Sequence, residues 1–355
     1  MNSLSVSRTY RMPAEWELHQ ATWITWPHYR ADWSGKFATI PWVYAEIVRH
    51  LHLHERVKIL VRNNKLEKRA RRLLSQSNVN LGQIDFHHMA TNRGWLRDAG
   101  PIFVRQGQSR SGDVRILNWR FNGWSKYSNC RRDDTIPDKV SRLLGMKQWR
   151  PATTNPKRRV VMEGGSIEVN GRGTLLTTEE CLLSPIQARN PGLSRDSLET
   201  LFHEYLGVRK VIWLGQGIAG DDTNGHIDDF ARFVNPTTVV VAVEADSQDV
   251  NYSPLRANWK RLQSATDQDN QPLRVVELPM PRPLFFRSHR LPASYANFYI
   301  ANQTVLVPTF NDPNDRLALT ILSRLFPKRT VVGIHSVELV WGLGTLHCLT
   351  QQQPV

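Results

Sequence analysis

Apolar residues along the chain fall into two alternating patterns, short β-type runs and longer stripes with helical spacing. Ile102-Phe103-Val104 and Val114-Arg115-Ile116-Leu117 read as paired strands. Ser166 to Val169 turns through Asn170-Gly171-Arg172-Gly173 into Thr174 to Thr177, and the Asn-Gly pair suits a tight hairpin turn. Phe230 to Val234 turns through Asn235-Pro236 into Val239 to Val243, and Phe298 to Ala301 through Asn302-Gln303 into Val305 to Val307. The hairpin starts lie roughly 63 to 70 residues apart, with Ala21 to Trp26 as an approximate earlier member.

Helical stripes and further β-rich runs follow the hairpins. Leu198, Leu201, Phe202, Tyr205 and Leu206 share one helix face, with Ser194 as the N-cap and Gly207 as the stop, and Val211 to Leu214 follows. Asp312-Pro313 opens a helix carrying Ala318, Ile321, Leu322, Leu325 and Phe326, ended by Pro327 and followed by Val331 to Ile334. The stretch from Trp42 to Leu53 leads likewise to Val57 to Val61. The unit is ββαβ, about five times over, and one such unit cannot bury its apolar faces alone. The expected architecture is therefore one pseudo-symmetric α/β domain over residues 8–355, with several units closing around a shared axis.

Composition narrows this picture without redirecting it. Hydrophobic residues at 40% and charged residues at 22% exclude wholesale disorder, and no apolar run approaches a membrane span. The amino terminus shows no secretory signal, so a soluble, cytoplasmic protein is expected. The three cysteines, Cys130, Cys181 and Cys348, cannot build a disulfide framework or a four-cysteine metal site. Lys+Arg 46 against Asp+Glu 32 leaves +14, a balance compatible with nucleic-acid or membrane-surface binding. The basic residues are dispersed, however. In Lys68-Arg69-Ala70-Arg71-Arg72, Leu66, Ala70, Leu73 and Leu74 form the buried stripe and the charges a solvated face.

Chemistry gathers at the edges of the repeats. Four segments stand out: Gly94-Trp95-Leu96-Arg97-Asp98-Ala99-Gly100-Pro101, Met162-Glu163-Gly164-Gly165-Ser166, Gly220-Asp221-Asp222-Thr223-Asn224-Gly225-His226-Ile227-Asp228-Asp229, and Gly342-Leu343-Gly344-Thr345-Leu346-His347-Cys348. Singly, each reads as turn chemistry. Together they put an acid, an acid, a histidine with acids and a cysteine in corresponding places.

In their order and spacing these segments resemble the agmatine deiminase family of guanidine-modifying enzymes, which includes the bacterial-type peptidylarginine deiminases. The resemblance runs from Met12-Pro13-Ala14-Glu15-Trp16 to Cys348-Leu349-Thr350-Gln351-Gln352-Gln353-Pro354. It implies a five-bladed α/β propeller, or pentein, fold. It also implies Cys348 as the nucleophile, His226 as the general acid/base, Glu163 as the carboxylate paired with that chemistry, and Asp98 and Asp228 as the grip on the guanidinium group. Trp95 and Asp222, with Asp221 as a further candidate, are expected to meet the far end of the substrate. Asn92-Arg93 stands where the family often has acidic residues, and Leu343 and Thr345 replace a common glycine and asparagine.

The residue types suit this reaction. A delocalised guanidinium carbon is a poor electrophile, and a thiolate is the strongest side-chain nucleophile. Two carboxylates match the guanidinium's fixed fork of donors. Attack by Cys348, protonation of the departing ammonia by His226 and hydrolysis of the thiouronium need no cofactor and no metal. The expected substrate is agmatine, converted to N-carbamoylputrescine in putrescine biosynthesis, with peptidyl arginine as the alternative. A basic RNA-binding propeller without catalysis ranks below both, because every reacting position is occupied. No membrane partner is expected, a nucleic-acid partner ranks low, and a homo-oligomer stays open. His50, His52 and His54 read as solvated histidines at a helix end, Cys181 as a small half-buried residue, and Cys130 as structural, although Arg131-Arg132 could lower its pKa.

Overall fold

The computed structural model describes residues 10–107 and 113–355, so the expected domain start at residue 8 lies outside the described residues. The fold is mixed α/β. Among the described residues the strands form five sheets of three or four strands and one two-stranded ribbon, Phe285–Phe286 with His289–Arg290.

Three sheets repeat one plan. Ala231–Asn235 pairs antiparallel with Thr238–Val243, the chain crosses through the helix Tyr252–Gln263, and Arg274–Pro279 returns parallel to Thr238–Val243. Tyr299–Ile300, Thr304–Thr309, the helix Asn314–Leu325 and Thr330–His335 repeat it. So do Glu168–Val169, Thr174–Thr178, the helix Arg195–Leu206 and Lys210–Leu214. The sheet of Ile102–Gln106, Val114–Leu117 and Gln148–Trp149 follows the same plan around the helix Ile136–Leu144, and adds Tyr10–Arg11 at its edge. In the fifth sheet the hairpin is assembled from both ends of the chain. Thr350–Pro354 pairs antiparallel with His19–Thr25, which lies parallel to Arg56–Val61 and through it to Ile84–His88. The last strand thus docks the segment bearing Cys348 against His19–Thr25.

Central strands are buried on both faces, which is why they read as continuous apolar runs rather than alternating ones: Thr238–Val243 and Thr304–Thr309 each bury five consecutive residues. Helix ends follow local chemistry. Ser194 accepts a hydrogen bond from the Ser197 N–H, and Gly207 ends that helix in the left-handed conformation at φ +68°.

Some expected boundaries move. The strand expected over Ser166 to Val169 shortens to Glu168–Val169, because the Ser166 N–H and hydroxyl both bond back to the Glu163 carbonyl and close a turn. The strand at Phe298 to Ala301 shortens to Tyr299–Ile300. The three histidines do mark a helix end, but His52 is buried with Nδ1 3.1 Å from the Val48 carbonyl, so it is not solvated. Among the described residues no helix is long and apolar enough to cross a membrane.

Candidate active site

Glu163, Gly165, Asp98, His226, Asp228 and Cys348 meet at the edges of different sheets. The short helix Leu96–Ala99 carries Asp98, the turn Gly164–Ser166 follows Glu163, the turn Ile227–Asp229 follows His226, and the helix Leu346–Leu349 carries Cys348. His226, Asp228 and Glu163 are fully buried. His226 Nδ1 lies 3.8 Å from Asp98 Oδ1 and 3.9 Å from Asp228 Oδ1, and Nε2 lies 3.8 Å from Glu163 Oε2. These are ion-pair separations, not hydrogen bonds. Both His226 nitrogens and Asp228 Oδ1 are buried with no hydrogen-bond partner among the described residues. Buried polar groups are nearly always paired, so unpaired ones beside a thiol mark a place where a polar guest is received.

Second partners hold the cluster. Asp98 accepts hydrogen bonds from the Gly165 N–H at 3.0 Å and from Trp124 Nε1 at 2.9 Å. Arg189 Nε bonds both oxygens of Glu163, at 3.1 and 3.2 Å. His347 bridges Asp228 and Glu15, with Nδ1 2.6 Å from Asp228 Oδ2 and Nε2 2.8 Å from Glu15 Oε2. Glu15 also takes Arg97 and Arg232, each at 2.9 Å, so the Met12 to Trp16 motif anchors two arginines and His347 under the site. Asn297 sets the segment that carries Cys348. Its Oδ1 accepts from Thr345 Oγ1 and the His347 N–H, and its Nδ2 donates to Asp229 Oδ1 and to Cys348 Sγ at 3.2 Å. The Cys348 thiol donates in turn toward Asp228 Oδ2 at 3.8 Å.

Above them is a narrow cleft of ≈ 30 Å3, with Asp98 and Cys348 among its lining residues and Arg93, Trp95, Trp124 and Asp222 around them. Leu343 also borders it, in the left-handed conformation at φ +68°. A leucine in that conformation costs about 1–2 kcal/mol. Asp222 accepts from Tyr127 Oη at 2.6 Å and from the Lys126 ammonium. Arg93 pairs with Asp32 at 3.0 Å, and its guanidinium lies 4.0 Å from the Tyr127 ring centroid.

The electrostatics favour a cationic guest. Burial pushes the Cys348 thiol well above its ordinary value, and Asp228, Asp229 and Asp98 raise it further, so these surroundings favour the thiol over the thiolate. Burial opposes a charge on His226, yet Asp98 and Glu163 overcome it and favour the imidazolium. Burial lifts Asp98 to about 6, with Asp228 and Glu163 adding to it and His226 and Trp124 partly offsetting it. Burial likewise opposes ionisation of Glu163, but Arg189 and His226 keep it below the usual carboxylate value.

Because the folded-state value of Asp98 is raised, the carboxylate that could hold a cation forms only as pH rises through about 6. We therefore expect kcat/KM to fall about tenfold per pH unit below that point, while kcat, which reports the substrate-bound enzyme, holds to lower pH. A kcat/KM profile that is flat across this range would remove Asp98 from substrate binding.

Gly165 is fixed by close approach. A Cβ there would lie 2.6 Å from His226 Nδ1, 2.8 Å from Asp98 Oδ1 and 3.1 Å from Asp228 Oδ2. Gly165→Ala should cost about 100-fold or more in kcat/KM, as misplacement of reacting groups by about 1 Å does. The protein should remain folded by circular dichroism. Wild-type kinetics would mean that the cluster yields freely.

The structure thus brings Cys348, His226, Glu163, Asp98 and Asp228 together, with Trp95 and Asp222 at the cleft. Asp221 is placed elsewhere: its carboxylate caps the turn by accepting from the Thr223, Gly225 and His226 N–H groups. Cys181 is fully buried, not half-buried, and joins Glu163 and His226 in a set whose donor atoms lie within 4.8 Å of one another. Asp228, Asp229 and Cys348 form a second such set. A metal ion at the first set would compete with Arg189 for Glu163. Cys130 is raised, not lowered, by burial and by Asp133 and Asp134. His347 lay inside a recognised motif without a role, while Asn297, Trp124 and Arg189 lay outside every motif.

A family model described as Porphyromonas-type peptidyl-arginine deiminase matches residues 11–354. The agmatine deiminase of Ectopseudomonas mendocina is 35% identical over 368 residues, covering 97% of this chain and 95% of the relative. The solved agmatine deiminase of Enterococcus faecalis superposes with a TM-score of 0.87 at 32% identity, covering 97% of this chain and 96% of that one. A cysteine-to-serine variant of the C. jejuni agmatine deiminase with substrate bound gives 0.84 at 27% identity, covering 98% and 96%. With a fold, a cleft and full-length matches of this kind, the chain belongs to the Porphyromonas-type peptidyl-arginine deiminase family.

Proposed function

We propose that this chain is an agmatine deiminase, hydrolysing agmatine to N-carbamoylputrescine and ammonia, and that its five ββαβ units form the blades of a single-domain α/β propeller. The observation that carries the reaction is the buried, unpartnered set of His226 nitrogens and Asp228 Oδ1 beside Cys348 and Asp98. A guanidinium supplies both the N–H donors and the positive charge which that set lacks.

Asp98 and Asp228 hold the guanidinium, whose charge offsets the carboxylates that keep Cys348 protonated. Cys348 Sγ then bonds to the guanidinium carbon, and the carbon–nitrogen bond to one terminal nitrogen breaks. His226 passes its own proton and then the thiol's to that leaving nitrogen, so ammonium departs and a neutral His226 and a cationic S-alkylthiouronium remain. Glu163, held ionised by Arg189, keeps His226 charged and oriented. Water adds to the thiouronium carbon and gives up a proton to His226, and the carbon–sulfur bond breaks. The ureido product leaves and the thiol is regenerated. The overall change is guanidinium plus water to ureido group plus ammonium.

The narrow cleft favours a small substrate over a peptide arginine, because Arg93, Trp95, Trp124 and Leu343 crowd its mouth. Asp222 receives the ammonium end, and there the substrate must displace Lys126, a partner 43% exposed. Lys126→Met should therefore lower KM for agmatine about 2- to 5-fold, the scale of an exposed ion pair, with kcat unchanged. Butylguanidine, which lacks the ammonium, should show no such change; an equal change for both would take Asp222 away from the far end. Mass spectrometry tests the reaction itself. One N-carbamoylputrescine should form per ammonia released, and ammonia without that product would contradict the proposal.

A further inference from the structure

A second, larger cavity lies away from the cleft. It holds ≈ 670 Å3 and is lined by Arg120, Arg158, Arg159 and Arg189 and by no Asp or Glu. Arg120 and Arg158 are exposed, and their guanidinium groups make no hydrogen bond or ion pair with the described residues. Arg159 is partly engaged, with Nη2 bonded to the Asn118 carbonyl and side chain and Nη1 3.5 Å from Asp134. Its Nε is buried and unpartnered. Arg189 is the one fully committed member, bonded to Glu163, to the Gln187 carbonyl and to the Thr223 carbonyl. Three cations with unused donors therefore share one concave space.

The walls lead to the catalytic cluster. Asn190 clasps Val161, its Oδ1 accepting from the Val161 N–H and its Nδ2 donating to the Val161 carbonyl, both at 2.8 Å. Val161 stands two residues before Glu163, and Arg189 next to Asn190 holds the Glu163 carboxylate. A guest in this cavity therefore rests on the two segments that position Glu163.

Guanidinium groups pair with phosphate through parallel hydrogen bonds, and a cavity within about 300–1,000 Å3 suits one small molecule. No aromatic ring lines the cavity, so it offers none of the stacking seats that single-stranded nucleic acid uses. Apolar lining comes from Val160, Val161, Pro191 and Leu193. We propose that this cavity binds a small molecule bearing two or more linked phosphates, and that its occupancy alters turnover through Glu163.

Titration calorimetry with tripolyphosphate and with ATP, at near-physiological salt, tests the site without requiring turnover. Failure of the proposed reaction and failure of this site are therefore separable. Wild type should bind one equivalent, and the Arg120→Glu/Arg158→Glu double variant, altered only at exposed side chains, should bind at least about tenfold more weakly while keeping its basal activity. The two ligands distinguish a bare polyphosphate from a nucleotide. With agmatine in excess over the polyanion, kcat of wild type should shift by about fivefold, the scale of a modest coupling between sites, and that of the double variant should not. Absence of saturable binding, equal binding by the double variant, or capture of long RNA alone would overturn the site. Saturable binding that leaves kcat unchanged would overturn its coupling to Glu163.

Discussion

Replacing Cys348 by serine should abolish ammonia release, with a loss of about 10,000-fold or more, while the protein unfolds at nearly the wild-type temperature. The magnitude follows from the chemistry: a serine hydroxyl is a far weaker nucleophile than a thiol, and Cys348 is the one cysteine among the residues lining the cleft. The structural part follows from packing. Serine is slightly smaller, and Asn297 keeps its bonds to Thr345, His347 and Asp229 whichever side chain stands at 348. Acid quenching of wild type during turnover should trap agmatine's carbon on Cys348, seen by peptide mass spectrometry. An adduct found only on Cys181 or Cys130, or a serine variant that still turns over, would take the nucleophile away from Cys348. Cys181 is the informative control because it too is a buried thiol and belongs to the His226 and Glu163 set.

His226→Asn should cost about 1,000-fold or more in kcat, since the same imidazole serves proton transfer in both halves of the reaction and each such transfer is worth about 100- to 10,000-fold. The substitution also removes the cation that faces Asp98, Glu163 and Asp228, each within 3.9 Å or less of a ring nitrogen. Asp98 is the carboxylate whose pKa His226 most directly holds down, so the acid limb of any residual kcat/KM should move above the wild-type position near 6. A merely structural role would lower activity without moving that limb. Unchanged kcat would show that protons travel by another route.

How much of this was legible in the sequence depends on how local the signal was. The turn at Asn170-Gly171 and the helix from Ser194 to Gly207 are set by residues within one turn of each other, and the structure forms both. The Gly-Asp, Glu-Gly-Gly and Gly-His-x-Asp segments drew attention because glycines crowd around titratable residues. Gly165 shows the physical reason: a side chain there would occupy the space of His226 and Asp98. What stayed hidden is what the fold assembles from distant segments. Glu15 meets His347 across 332 positions, and Asn297 meets Cys348 across 51, so no spacing rule joins either pair. Trp124 reaches Asp98 from a loop with no recognised motif. Cys181 was misjudged because its flanking Glu179-Glu180 suggested exposure, whereas the short helix Glu179–Leu182 turns the thiol inward. The basic residues are dispersed along the sequence, and only the fold brings Arg120 and Arg189 beside Arg158-Arg159 around the ≈ 670 Å3 cavity.

The central claim is that a buried thiol, two carboxylates and a charged histidine deiminate a small cationic guanidine in a narrow cleft. The most direct measurement is ammonia release by the purified protein from agmatine, free arginine and a blocked arginine peptide side by side, compared as kcat/KM. Agmatine should exceed both others. A peptide that matches or exceeds agmatine would contradict the small-substrate reading while leaving the deiminase chemistry, and release from none of the three would contradict the chemistry as well.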